Sequence, residues 1–250
     1  MNIQTVALLL FLLTSFSCSN KKEQTTAASK PNIVIILADD MGYGDPGCYN
    51  SESKIPTPNI DGLAEAGIML TDAHSPHAWC TPSRYGLLTG RYPARTELNW
   101  RERSIIEPDI LTLPEMLKQK GYRTGMVGKW HLGFDNLEPG NVDCSQNFTG
   151  GPVDRGFDYF FGIHASLDIP PYFYIENNRC VAPPSDFVED HQSEDPTTPI
   201  SGAFWRAGNM APGFKHEDVL PDFTEKAVEW IEQHAKDKPE QPLFLYLALT

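Results

Sequence analysis

Residues 32–38 read Asn-Ile-Val-Ile-Ile-Leu-Ala, an unbroken apolar run that stops at two adjacent acids, Asp39 and Asp40. A β-branched run without polar alternation is expected of a strand covered on both faces, as in a parallel sheet. Residues 242–249 (Pro-Leu-Phe-Leu-Tyr-Leu-Ala-Leu) read the same way. Helix signals lie between the two runs, so the chain is expected to be α/β with a mostly parallel central sheet. In open sheets of this kind ligands sit beyond the carboxyl ends of the strands. Asp39 and Asp40 are therefore well placed for chemistry.

The intervening elements follow from caps and breakers. Thr57 and Pro58 open a short helix over 58–66, with Thr57 as its cap and Gly67 as its stop. Residues 68–73 read as a strand, and 82–89 as a helix stopped by Gly90. Thr112 and Glu115 have the spacing of a capping box for a helix that runs to Lys120 and ends at Gly121. Residues 122–128 form a strand that delivers Lys129, Trp130 and His131. Residues 140–215 are rich in Pro, Gly and aromatics and read as long loops over the active face, where specificity usually resides. Tyr172, Tyr174, Trp205 and Arg206 in these loops are candidates for contact with a sugar, with ordinary loop packing as the alternative. Residues 221–235 form an amphipathic helix with Phe223, Ala227, Val228, Trp230 and Ile231 on its apolar side.

Residues 1–18 read as a signal peptide, because the apolar run from Val6 to Leu13 is too short to span a bilayer. The small residue before Cys18 resembles a bacterial lipoprotein cleavage site, which would make Cys18 a lipid anchor; otherwise Cys18 is discarded with the leader. Residues 19–30 read as a polar linker. The protein is therefore expected to be exported, to the periplasm or as an outer-membrane or cell-surface lipoprotein. The formal net charge of −13 over 250 residues excludes nucleic acid as a partner, since phosphate backbones reward clustered Lys and Arg. The same charge disfavours an anionic substrate unless the site holds its own cations.

The densest chemistry is Cys80-Thr81-Pro82-Ser83-Arg84. It sets a cysteine at the mouth of a helix, where free N–H groups and the helix dipole favour an anion, with an arginine close by. The segment resembles the signature of the type I, formylglycine-dependent sulfatases, in which such a motif directs oxidation of the cysteine; Trp79 departs slightly from the usual pattern. Residues 121–133, Gly-Tyr-Arg-Thr-Gly-Met-Val-Gly-Lys-Trp-His-Leu-Gly, are similar to the family's second signature. So are residues 111–117, 155–158 and the 242–249 strand, and the resemblance spans residues 31–250.

The resemblance implies an alkaline-phosphatase-like sulfatase sandwich over 31–250, truncated at its carboxyl end. Cys80, as 3-oxoalanine (formylglycine) made by a formylglycine-generating enzyme, would be the nucleophile. Arg84, Lys129 and His131 would be catalytic, with Lys129 and His131 also binding substrate. Asp39, Asp40 and residue 80 would ligate calcium, whose charge offsets the acids and admits an anionic substrate. The hydrated aldehyde would attack sulfur, and the second hydroxyl would later release sulfate, losing its proton to His131. The substrate would be a sulfated glycan or an aryl sulfate. A further His, Lys and calcium ligands of the family would be expected after Thr250. Alternatives are a formylglycine-dependent phosphodiesterase or phosphonate monoester hydrolase, and a non-catalytic glycan-binding lipoprotein. With Cys80 set aside, at most one disulfide remains, Cys144 with Cys180, unless the thiols stay reduced.

Overall fold

The computed structural model describes residues 29–95, 104–138, 140–194 and 202–250. The expected signal peptide and Cys18 lie outside the described residues, and residues 31–250 form one compact unit. No described helix is long and apolar enough to cross a membrane.

In chain order the elements are β1 (Ile33–Leu37), α1 (Pro58–Ala66), α2 (Cys80–Thr89), α3 (Leu113–Gln119), β2 (Arg123–Lys129) and β3 (Tyr159–Ile163). Six short strands follow: β4 (Ile175–Glu176), β5 (Arg179–Cys180), β6 (Asp186–Val188), β7 (His191–Gln192), β8 (Phe204–Trp205) and β9 (Gly208–Met210). The last two elements are α4 (Val219–Asp237) and β10 (Leu243–Ala248).

The main sheet runs β1-β10-β2-β3-β4-β5. β1, β10, β2 and β3 are parallel, and β4 and β5 add an antiparallel hairpin. The register aligns the carboxyl ends: Leu37 pairs with Ala248, Ala248 with Gly128, and Gly128 with Gly162. Four chain segments therefore leave the sheet along one line. Two glycines make this alignment possible. A Cβ on Gly128, at φ +122, would sit 1.9 Å from the Ala248 carbonyl oxygen, and one on Gly162 would sit 1.8 Å from that of Gly128.

α4 covers β2, β3 and β10 with a stripe of Val219, Phe223, Ala227, Trp230 and His234, spaced as one face of a helix. Val228, expected on that face, is half exposed instead; it falls outside the stripe that faces the sheet. Gly125 lies under Trp230, where a Cβ would meet the indole at 2.6 Å. Tyr246, Phe157 and Phe244 stack within the core on the same sheet.

Several expectations are corrected. β1 is not covered on both faces: it pairs only with β10 among the described strands, and Val34 and Ile36 are 48% and 57% exposed. Residues 68–73 form no strand; Ile68 and Leu70 are exposed, with no neighbouring strand to receive them. Thr57 does not cap α1. Its hydroxyl accepts from Gly47 N–H at 2.8 Å and donates to Asp61 Oδ1 at 3.0 Å. Thr112 does cap α3, accepting from Glu115 N–H at 3.3 Å. The 140–215 stretch is not all loop, because β3 is a buried strand of the parallel sheet. Cys144 and Cys180 are joined by a disulfide, with Cα atoms 5.5 Å apart. Cys48 and Cys80 are free thiols.

Candidate active site

The aligned carboxyl ends of the sheet deliver the site. Asp39 and Asp40 follow β1, Lys129 closes β2 and leads into His131, Ser166 lies just past β3, and Leu249 follows β10. α2 approaches from the side with Cys80 as its first residue, two positions earlier than the sequence reading placed the helix start. Trp79 takes the cap position in extended backbone, and Gly90 ends the helix in the left-handed conformation at φ 66. Arg84 stands four residues beyond Cys80 on the same face and is fully buried.

Arg84 is the hub. Its Nη1 donates to the Lys129 carbonyl at 2.8 Å and to the Tyr246 hydroxyl at 3.4 Å. Its Nη2 donates to Asp39 Oδ1 at 3.1 Å and to the Leu249 carbonyl at 3.4 Å. Its buried Nε has no hydrogen-bond partner among the described residues. An orphaned cationic N–H is costly in a protein interior and is relieved by an anion that accepts from it. Lys129, also buried, donates from Nζ to the second oxygen of Asp39 and to Ser166 Oγ at 2.9 Å. Asp39 is thus gripped by two cations. Burial works to raise its pKa, but the hydrogen bond and charge of Lys129, followed by Arg84, outweigh that and hold the carboxyl below its ordinary range.

Cys80 Sγ lies 3.3 Å from His131 Nδ1. His131 occupies left-handed backbone at φ 55, and its N–H donates to the His164 carbonyl at 3.0 Å. Burial pushes its imidazole down to about 3, and the charges of Lys129 and Arg84 push the same way. It is therefore neutral near pH 7 and able to accept a proton. Asp40, also at positive φ (53), is exposed. Asp39 and Asp40 line a cavity of about 760 Å³ together with Ser166, Asp168, Trp205 and Arg206.

The structure brings Cys80, Arg84, Asp39, Lys129 and His131 into one connected cluster, with Asp40 at the rim of the adjoining cavity. The connection from Cys80 to Asp39 runs through α2 to Arg84, and through His131 to Lys129. Sequence reasoning missed Ser166, Tyr246 and the orienting His164 carbonyl. Position after a strand end is the available signal for Ser166, and the Pro- and Gly-rich surroundings of residues 159–163 hide that strand in the sequence.

The parallel sheet and this cluster at its carboxyl edge define an alkaline-phosphatase-like α/β architecture. The chain belongs to the sulfatase family, whose model, described as Sulfatase, matches residues 31–250. It is 36% identical to an N-acetylgalactosamine-6-O-sulfatase of Bacteroides thetaiotaomicron, over 94% of this chain and 51% of that protein. It is also 36% identical to mouse arylsulfatase G, over 95% of this chain and 43% of that protein. A structure solved for the metabolism of multiple glycosaminoglycans by Bacteroides thetaiotaomicron superimposes with a TM-score of 0.71 at 35% identity, covering 88% of this chain and 51% of that one. The chain spans about half the length of the relatives it matches.

Proposed function

We propose that the protein is a sulfuric ester hydrolase that removes sulfate from a sulfated carbohydrate or aryl ester, with residue 80 as its nucleophile. The observation that carries this reading is the cluster itself: Cys80 at a helix mouth, 3.3 Å from a neutral His131 and one turn from the buried Arg84. The cations of Arg84 and Lys129 give this acidic chain the local positive charge that an ester sulfate needs.

Oxidised to formylglycine by a formylglycine-generating enzyme, residue 80 would supply a hydrated aldehyde oxygen that bonds to sulfur as the S–O bond to the leaving alcohol or phenol breaks. Loss of a proton from the second hydroxyl would then expel sulfate and restore the aldehyde. The surrounding side chains then have separate tasks. Arg84, buried one turn from residue 80, would contribute positive charge that stabilises the sulfuryl group. Lys129, held between Asp39 and Ser166, stabilises negative charge on the same group. His131, kept neutral by burial, presents a ring nitrogen 3.3 Å from residue 80 to receive its proton; the depressed pKa leaves that nitrogen unprotonated beforehand but weakens it as a base.

Calcium is the cation that the family resemblance implies. Asp39 and Asp40 are hard oxygen donors of the right chemistry, and residue 80 would add a third oxygen once oxidised. Calcium takes six to eight oxygens, and no group of three or more His, Cys, Asp or Glu that could hold a metal occurs among the described residues. Both oxygens of Asp39 are already engaged by cations. The described donors do not complete a calcium site, and no step above depends on one.

Export, and anchoring through a lipidated Cys18, belong to the same reading. They suit an enzyme that meets polymeric sulfated glycans outside the cytoplasm, and they rest on the amino-terminal sequence alone. The 36% identical Bacteroides relative makes N-acetylgalactosamine 6-sulfate the first saccharide to assay. The test is release of inorganic sulfate from that sugar and from 4-nitrophenyl sulfate by the full-length protein co-expressed with a formylglycine-generating enzyme. Turnover of either supports the reading, and inactivity on a broad panel of sulfate esters overturns it.

A further inference from the structure

Of the four loop residues singled out as candidates for sugar contact, three are committed to packing. Tyr172 is buried, and its hydroxyl donates to the Arg206 carbonyl at 2.7 Å. The Tyr174 hydroxyl donates to Asp222 Oδ2 at 2.6 Å. The indole of Trp205 is stacked on His216 at 4.3 Å and on His191 at 4.4 Å, and its Nε1–H donates to the Glu189 carbonyl at 3.1 Å. A pyranose could stack on Trp205 only by displacing a histidine.

Arg206 differs. Its side chain is 55% exposed, yet its head is fixed. Nη1 donates to the Asp168 carboxylate and to the Asp168 carbonyl at 3.2 Å, and the guanidinium lies over the Phe204 ring at 5.2 Å. The single hydroxyl proton of Tyr172 is shared between the Arg206 carbonyl at 2.7 Å and the Asp168 carbonyl at 3.1 Å, and the hydroxyl oxygen accepts from the Arg206 backbone N–H at 3.1 Å, which ties both partners down. Asp168 and Arg206 line the cavity of about 760 Å³ whose lining also includes Asp39 and Asp40. That volume lies in the range of small-molecule sites. These contacts hold the guanidinium in place before a ligand arrives, which lowers the entropy cost of binding.

An ion pair of this kind presents fork-shaped donors and carboxylate acceptors side by side. Two neighbouring hydroxyls match it: one donates to Asp168 while the next accepts from Arg206. A second anionic group matches it less well, because it would meet the carboxylate.

We propose that Asp168 and Arg206 form a saccharide subsite that reads a vicinal pair of ring hydroxyls on the sugar whose sulfate ester reaches residue 80. The inference rests on the sulfatase reading and adds a substrate class to it: a sulfated pyranose with two adjacent free hydroxyls.

The test compares kcat/KM for N-acetylgalactosamine 6-sulfate and for 4-nitrophenyl sulfate, which has no hydroxyl pair, in full-length wild type and in Asp168→Asn and Arg206→Gln. The ratio of saccharide to aryl ester is expected to fall about 10- to 100-fold, as when a polar reader loses its partner. Calorimetric titration of the same sugar into full-length Cys80→Ala, with and without Arg206→Gln, gives a readout that needs no turnover. Affinity is expected to weaken about tenfold or more. A ratio that stays within about twofold, or equal fall on both substrates, overturns the subsite. If wild type hydrolyses neither ester, the catalytic reading fails and the titration alone decides the subsite: an affinity lowered by Arg206→Gln supports it, and no binding or no change overturns it.

Discussion

Cys80 Sγ and His131 Nδ1 are 3.3 Å apart although 51 residues separate them in the chain. The contact exists because α2 begins at Cys80 and β2 ends two residues before His131, so both arrive at the same sheet edge. In the proposed reaction His131 serves as proton acceptor. His131→Ala is expected to lower kcat on 4-nitrophenyl sulfate by about 10²- to 10⁴-fold, the usual contribution of general acid–base catalysis. Mass spectrometry on the same sample checks that modification at residue 80 is intact. A loss of less than about threefold would remove His131 from the chemistry.

Arg84 is buried and satisfies Asp39, the Lys129 carbonyl and Tyr246 together. Truncating it leaves Asp39 short of one cation in a partly buried site. Arg84→Ala is expected to destabilise the full-length protein by about 3–5 kcal/mol, measured by urea unfolding. Arg84→Lys keeps the charge but loses the fork, and it should still abolish most turnover.

The fold itself was partly legible. The apolar runs at 32–38 and 242–249 mark β1 and β10 and the 122–128 run marks β2, although β1 proves to be an edge strand; the position of Asp39 after a strand end follows from the first run, and those of Lys129 and His131 from the 122–128 run. β3 was missed because Tyr159–Ile163 is five residues long and sits between Pro- and Gly-rich segments, where length and periodicity give no purchase. Residues 68–73 were misread for the opposite reason: local apolarity suggested a strand that no described neighbour pairs with. Caps were equally local guesses. Thr112 behaved as read, whereas a tertiary contact with Gly47 claimed the Thr57 hydroxyl. Motifs located the cluster residues, but the double grip of Arg84 and Lys129 on Asp39 became visible only in three dimensions.

His164 is buried, and burial pushes its pKa down to about 4, against the hydrogen bond with the Pro171 carbonyl at 3.1 Å. The folded form therefore stays neutral over a range in which the unfolded chain, with an ordinary pKa near 6.5, takes up a proton. The unfolded state binds more protons there, so stability falls as pH drops from about 6.5 to about 4, by roughly 1.4 kcal/mol per pH unit from this group. His131, pushed down to about 3, adds to the slope in the same window, so urea unfolding at intervals across it should show the summed slope and His164→Gln should reduce it by roughly 1.4 kcal/mol per pH unit without removing it.

The disulfide between Cys144 and Cys180 closes a segment with a sequence separation of 36. Constraint of the unfolded chain on that scale stabilises by about 3–4 kcal/mol. The double substitution Cys144→Ala, Cys180→Ala is expected to lower the unfolding free energy by about that amount while Cys80 still becomes modified.

Gly128 admits no side chain, since a Cβ would lie 1.9 Å from the Ala248 carbonyl oxygen and φ is +122. Gly128→Ala is expected to separate β2 from β10 and to cost more than about 4 kcal/mol, read as loss of soluble, cooperatively unfolding protein. Normal expression and an unchanged unfolding midpoint would contradict the close packing that sets Lys129 beside Asp39.

The mass of the peptide carrying residue 80 tests the central claim most directly. Isolated from a host with a formylglycine-generating enzyme, it is expected to be about 18 Da lighter than the cysteine form, as conversion of a thiol to an aldehyde requires for nucleophile activation. Cysteine left wholly unmodified in the full-length protein from its native host would contradict the account.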